Sequence, residues 1–135
     1  WGDVHIKNFS LERAAKISPA ATALEHGVKF TMHQDAPVIE PDMIETIWCA
    51  NSRITKTGQP LGRQERISVY NAVRAVTVNA AYQYSKENTH GTISAGKQAD
   101  FTVLDRNPLQ TPAQRMRDIT VLQVYKDGEC VFSKK

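Results

Sequence analysis

The hydrophobic pattern changes its period near residues 85–90, and this change constrains the fold more than any other feature of the sequence. Before it, apolar residues recur with helical spacing, as in residues 69–76, where they occupy positions i, i+3, i+4 and i+7. After it, short runs alternate apolar and polar residues in the manner of strands, as in residues 119–125. We therefore predict an α/β chain with a helical part, residues 1–85, and a β-rich part, residues 86–135.

Local signals place helices and one strand within the first part. Pro19 splits a helical stretch because its ring clashes with the preceding turn, and Ser10 is the candidate N-cap of that stretch. Asp42 is the candidate cap of a later helix, since an aspartate side chain accepts hydrogen bonds from the first backbone N–H groups. The predicted helices cover residues 10–26, 43–52, 64–76 and 78–84, and the predicted strand covers residues 28–32.

Turn residues divide the second part into short strands. Gly91 and Gly96 mark turns in a polar stretch that ends before Phe101. Asp127-Gly128 is typical of a two-residue hairpin turn, because both residue types tolerate the positive φ angles that such turns need. The predicted strands cover residues 101–105, 119–125 and 130–132.

Composition excludes several classes of protein. The 135 residues, of which 41% are hydrophobic and 23% charged, suffice for about one globular domain. The net charge of +3 comes from scattered lysines and arginines without a basic stripe, so we predict no nucleic-acid partner. No apolar run approaches the roughly 18–20 residues that cross a bilayer, so we predict no membrane partner.

Two cysteines, Cys49 and Cys130, lack the spacing of a zinc or redox motif. We expect free thiols in a reducing compartment, which favours the cytoplasm, and we expect Cys49 to pack in the core from an apolar helix face. A periplasmic or secreted protein stays open. Trp1 is neither an initiator nor part of a signal peptide, so we expect the natural beginning to lie upstream.

Asp35 is the strongest candidate for chemistry. It follows the predicted strand 28–32, and catalytic and metal-binding groups collect at the carboxyl ends of strands in α/β folds. A carboxylate there can bind a metal or accept a proton from water. His33 lies two residues earlier, on the same face of an extended strand, and offers a second ligand. The alternative for Asp35 is a structural role as a turn residue before Ala36-Pro37.

Two ligands do not complete a metal site, because catalytic zinc takes three protein ligands and a water. A small metalloprotein would need Asp3 and His5 to join His33 and Asp35, for example across a dimer. The sequence contains no nucleophile elbow, Walker loop or glycine-rich dinucleotide motif.

Several blocks of the chain resemble the C-terminal end of the amidohydrolase superfamily, and most closely the YtcJ-like metal-dependent hydrolases, amidohydrolase family 3. The most specific feature is the Gly-Lys-x-Ala-Asp stretch that begins at Gly96, which is similar to that family's return into its small β domain. The blocks are residues 33–38 (HQDAPV), 66–81 (RISVYNAVRAVTVNAA), 91–109 (GTISAGKQADFTVLDRNPL) and 124–131 (VYKDGECV).

The resemblance implies a fold and a chemistry. Members are (β/α)8 barrels with a small β-sandwich domain, and they use divalent metals, zinc among them, to activate water against carbon–nitrogen bonds of amides, ureas and cyclic amides. The aspartate that closes their last barrel strand binds metal and takes the proton of the attacking water. Asp35 matches that aspartate, whereas His33 stands where the family often has a histidine that is not its metal ligand. A small amide or related molecule is the implied substrate.

The chain departs from the family because the strands that carry the other metal ligands are missing. A complete barrel takes about 250 residues. We therefore expect the C-terminal part of a larger hydrolase, with the last strand and following helices in residues 1–85 and closing strands of the β-sandwich domain in residues 86–135. This piece would be inactive alone and would self-associate through unpaired strand edges. The alternative is a stand-alone, non-catalytic interaction or regulatory module.

Overall fold

The computed structural model describes residues 1–135 and confirms the order of helices first and strands last. The α-helices are α1 (Gly2–Ala14), α2 (Ala20–Glu25), α3 (Met43–Ser52), α4 (Val69–Val76) and α5 (Val78–Gln83). The strands are β1 (Phe101–Leu104), β2 (Val121–Lys126) and β3 (Glu129–Ser133), and short 3-10 helices cover Arg63–Glu65, Pro108–Gln110 and Ala113–Asp118. None of the helices combines the length and the apolar character needed to cross a membrane.

The three strands form one antiparallel sheet in the order β1-β2-β3. Phe101 lies opposite Tyr125, and their rings stack with centroids 4.5 Å apart. Asp127 and Gly128 have φ angles of 54° and 81°, so the predicted hairpin turn is confirmed as a turn with two left-handed residues.

Residues 28–32 form no strand, so this prediction is wrong for the chain as it stands. The backbone N–H groups of residues 29–34 donate no hydrogen bond to other backbone groups, and the carbonyl of Phe30 is paired only with a side chain, the amide of Asn79 at 2.8 Å. A strand exists only beside another strand, and the sheet of this chain is built entirely from residues 101–133. Phe30 and Met32 nevertheless pack against the core, as their alternation predicts.

Helix α3 and its cap are confirmed. The Asp42 carboxylate accepts hydrogen bonds from the backbone N–H groups of Ile44 at 2.8 Å and Glu45 at 3.0 Å. Helix α4 begins later than predicted, at Val69 and not at residue 64, because the Ser68 hydroxyl caps it and Arg63–Glu65 forms a separate 3-10 turn. The face predicted from its spacing is confirmed, because Ala72 lies in the core and Val69, Val73 and Val76 pack against it.

The first two helices differ from expectation at their starts. Helix α1 begins at Gly2, and Ser10 interrupts it with non-helical angles (φ 71°, ψ 160°) where an N-cap was expected. Helix α2 has no side-chain cap of its own. The buried Glu65 caps it from afar, accepting hydrogen bonds from the Thr22 backbone N–H at 3.0 Å and the Thr22 hydroxyl at 2.6 Å. These bonds, led by the one from the hydroxyl, lower the pKa of Glu65.

One hydrophobic core joins the helices to the segment before the second strand. It comprises Ile47, Ile67, Ala72, Met116 and Ile119. The same contact is reinforced at the surface, where the Arg117 guanidinium lies 2.7 Å from a Glu45 carboxylate oxygen and 4.7 Å from the centre of the Trp48 ring. Both predicted parts contribute to this core, and their division at residue 85 stays a prediction.

Candidate functional site

Asp35 lies in an exposed turn just after the segment predicted to be a strand. Its backbone is left-handed, with φ 58°, and its carbonyl accepts a hydrogen bond from the Val38 N–H at 2.9 Å. The turn role that the sequence offered as an alternative is therefore observed. The carboxylate itself stands at the surface, where water can reach it, and its chemical role stays a prediction.

Helix α5 holds the segment that leads to Asp35. The Asn79 amide donates a hydrogen bond to the Phe30 carbonyl at 2.8 Å, and the Thr31 hydroxyl donates to Oε1 of Gln83 at 2.8 Å. Asn79 and Gln83 are four residues apart and so share one face of the helix. Sequence reasoning missed both side chains, because polar residues near a helix end usually face solvent.

A second contact closes the loop that carries Asp35. The side-chain amide of Gln34 donates a hydrogen bond to the Asp42 carbonyl, and its oxygen accepts one from the Asp42 N–H. Asp42 is in turn the cap of α3, and its carbonyl also accepts a hydrogen bond from the Thr46 hydroxyl at 3.0 Å. The loop of residues 35–41 is thereby tied to the first turn of a helix that reaches the core.

His33 and Asp35 remain near each other in the chain, but no further metal ligand joins them. Nowhere in residues 1–135 do three or more His, Cys, Asp or Glu side chains come close enough to hold a metal ion. Asp3 instead accepts hydrogen bonds from the Thr57 hydroxyl at 2.5 Å and the Thr57 N–H at 3.2 Å, and the pKa of Asp3 is lowered chiefly by that hydroxyl. The donor set within the chain therefore does not fit a complete metal centre.

A cavity of about 170 Å³, which Asp35 does not line, lies between α1, α3 and the loop before residue 62. Cys49 lines it and is exposed, so the prediction that Cys49 packs in the core is wrong; partial burial still raises the pKa of its thiol. Both Cys49 and Cys130 are free thiols, as expected. The Arg53 guanidinium, which also lines the cavity, has a structural role. It donates hydrogen bonds to four backbone carbonyls, those of Ala15, Ile17, Ser18 and Leu61.

Comparison with known proteins places this geometry in context. The sequence profile of the amidohydrolase family matches residues 4–132. An N-substituted formamide deformylase of Arthrobacter pascens is 32% identical over 129 residues, which cover 95% of this chain and 24% of that protein. An imidazolonepropionase of Streptococcus sanguinis is 30% identical over 122 residues, which cover 87% of this chain and 26% of that protein.

Two solved structures share the fold. An amidohydrolase of Thermotoga maritima superposes with a TM-score of 0.65 at 25% identity, over 85% of this chain and 26% of that one. The guanine deaminase of E. coli superposes with a TM-score of 0.59 at 20% identity, over 98% of this chain and 38% of that one. The chain thus spans about a quarter of the length of the curated relatives it matches.

Proposed function

This chain belongs to the amidohydrolase family, and from that premise we propose that it is the C-terminal part of a hydrolase that cleaves a carbon–nitrogen bond in small amide-type molecules. The observation that carries the proposal is the family match, which runs through the Asp35 turn and on into β3. The name of one relative, a deformylase of N-substituted formamides, supports a formamide or a related amide as the substrate class.

We assign residues 28–32 to the last strand of a (β/α)8 barrel whose neighbouring strands lie outside residues 1–135. The nearly unpaired backbone of residues 29–34 supports this assignment, because it leaves N–H and C=O groups available for a ladder. The sheet β1-β2-β3 would be the closing part of a small β-sandwich domain. The unpaired segment of residues 28–32 and the open edges of this sheet would make residues 1–135 self-associate when they are produced alone.

Asp35 would act on the proton of the attacking water. An exposed carboxylate at the end of the segment can accept that proton and return it to the leaving nitrogen, so that each half of the reaction avoids an unstable charged species. Asp35 is exposed in the turn of residues 35–38, at the carboxyl end of the segment that we assign to the last barrel strand, and the ends of the neighbouring strands would lie beside it.

The family is generally metal-dependent, and the metal we propose is a divalent ion, zinc by preference. Asp35 would supply one carboxylate ligand, with His33 as a second candidate. The remaining ligands must come from outside residues 1–135, because the donors within the chain do not complete a site. The two free thiols are consistent with our further proposal of a cytoplasmic protein.

The test is amine release from N-substituted formamides by the longer protein that we propose contains this chain. Asp35→Asn should lower kcat by about 100-fold or more, the usual scale for loss of a general acid–base group. Asp127→Asn is the matched control, because Asp127 is also exposed and left-handed, with φ 54° against 58° for Asp35, and asparagine tolerates that conformation.

An active Asp35→Asn enzyme would refute the role of Asp35. A wild-type protein that hydrolyses no formamide, urea or cyclic amide would refute the proposed reaction and favour the interaction-module hypothesis.

A further inference from the structure

The side chain of Gln34, which adjoins the proposed catalytic residue, binds the backbone at the far end of the loop. Both polar atoms of its amide engage the backbone of a single residue, Asp42, one as donor and one as acceptor. The amide thus pairs with Asp42 much as a neighbouring strand would pair with it.

Packing does little to fix the loop between these two residues. Residues 35–43 are all exposed, and the one backbone hydrogen bond within the loop joins Asp35 to Val38. The position of Asp35 relative to the core therefore depends on hydrogen bonds at the two ends of the loop. Gln34, the residue directly before Asp35, joins the two ends through its hydrogen bonds with Asp42.

Asp42 connects the loop to the hydrophobic core through helix α3. Its carboxylate caps α3 through Ile44 and Glu45, and α3 places Ile47 in the hydrophobic core. A loop tied to Asp42 is therefore tied to a helix that packs in the core. Without the Gln34 contact the loop itself would keep only its own turn, because the bonds to α5 end at Thr31, four residues before Asp35.

We propose that Gln34 is a positioning residue for Asp35, which it fixes by clamping the loop to the first turn of α3. This inference rests on the proposed function, in which Asp35 takes the proton of the attacking water. A displacement of a reacting group by about 1 Å can lower a rate about 100-fold. The clamp therefore acts on turnover and leaves substrate binding unchanged.

Two variants remove the clamp in different ways. Gln34→Met keeps the length of the side chain and removes both hydrogen bonds, while Gln34→Asn keeps the amide and shortens the side chain by one methylene. Gln64→Met, at an exposed glutamine of the 3-10 helix Arg63–Glu65, is the matched control. Each is measured in the longer protein for kcat and KM, and in residues 1–135 for hydrogen exchange of the Asp42 amide.

We expect both Gln34 variants to lower kcat about 10- to 100-fold with KM changed by less than about twofold. The Asp42 amide should exchange at least about tenfold faster in both, since its acceptor is lost, whereas Gln64→Met should change none of these values. A rise in KM at constant kcat would instead assign Gln34 to substrate binding and overturn the inference.

The remaining outcomes separate this inference from the proposed function. If Asp35→Asn abolishes turnover while both Gln34 variants keep wild-type kcat, the positioning role alone is refuted. If Asp35→Asn is active, the proposed function fails first. An unchanged Asp42 exchange rate in both variants would show that the clamp does not form, and it would overturn the inference even if a variant were too unstable for kinetics.

Discussion

Replacing Gly62 by alanine tests the contact between the end of α1 and the loop that follows α3. Gly62 has a left-handed backbone, with φ 64°, and a Cβ atom added there would lie 2.1 Å from the Ala15 carbonyl oxygen and 2.9 Å from Nη2 of Arg53. Gly58 provides the control, because it is also left-handed, with φ 89°, but a Cβ atom there would meet nothing within 4 Å.

The geometry separates two contributions to the loss of stability. The left-handed conformation costs an alanine about 1–2 kcal/mol at either position. The collision at Gly62 adds about 1–3 kcal/mol, the range for overpacked sites, and backbone atoms cannot rotate away as the end of a side chain can. We therefore expect the free energy of unfolding to fall by about 3 kcal/mol or more for Gly62→Ala and by about 1.5 kcal/mol for Gly58→Ala.

Urea unfolding followed by circular dichroism measures both values, with the slope m checked for equality so that only stability is compared. Losses that agree within about 0.5 kcal/mol would refute the reasoning, because they would mean that the Ala15 carbonyl is not where the structure has it.

Two further predictions concern the polar contacts that join distant segments. Lowering the pH from about 6 to about 3.5 should reduce the free energy of unfolding more in the wild type than in Glu65→Gln. Hydrogen bonds from Thr22 lower the pKa of folded Glu65 below its ordinary 4.5. The stability that Glu65 contributes is therefore complete above that pH and is lost as the pH falls through the lowered pKa. Urea midpoints at both pH values check this, with Glu87→Gln as control, and an equal acid loss in Glu65→Gln would contradict it. Arg53→Lys should lower the free energy of unfolding by about 2 kcal/mol, because one ammonium group cannot bind the four carbonyls that the guanidinium binds. The control Arg63→Lys, at an exposed arginine, should change it by less than about 0.5 kcal/mol. Equal losses in the two variants would be evidence against a structural role for Arg53.

Elements that rest on neighbouring residues could be predicted from the sequence. The start of α3 follows from Asp42 alone, since its carboxylate reaches N–H groups two and three residues ahead. The β2–β3 hairpin follows from Asp127-Gly128, because few residue pairs adopt two positive φ angles. In both cases the information lies within one turn of chain.

Elements that rest on distant residues could not be predicted from the sequence. Phe30 and Met32 pack against the core as the alternation in residues 28–32 predicts, whereas Val28 is exposed. A strand also needs a neighbour, and residues 28–32 have none in the chain. The cap of α2 is Glu65, which lies 43 residues away from Thr22, so no local sequence pattern predicts it.

The candidate site divides along the same line. Asp35 could be selected from its position after an apolar alternation and from the family resemblance, because both are local in sequence. The side chains that hold its segment in place, Asn79, Gln83 and Gln34, act through single hydrogen bonds across the fold, and such bonds leave no periodic signal.

The metal content of the purified 135-residue chain tests most directly the central claim, that these residues supply one carboxylate of a centre whose other ligands lie elsewhere. After dialysis into buffer without chelator, elemental analysis should find less than about 0.1 zinc, iron or manganese per chain, while the longer protein should hold about one or more. A value near one metal per 135-residue chain, lost in Asp35→Asn, would contradict the claim, because it would show that residues 1–135 complete a metal site on their own.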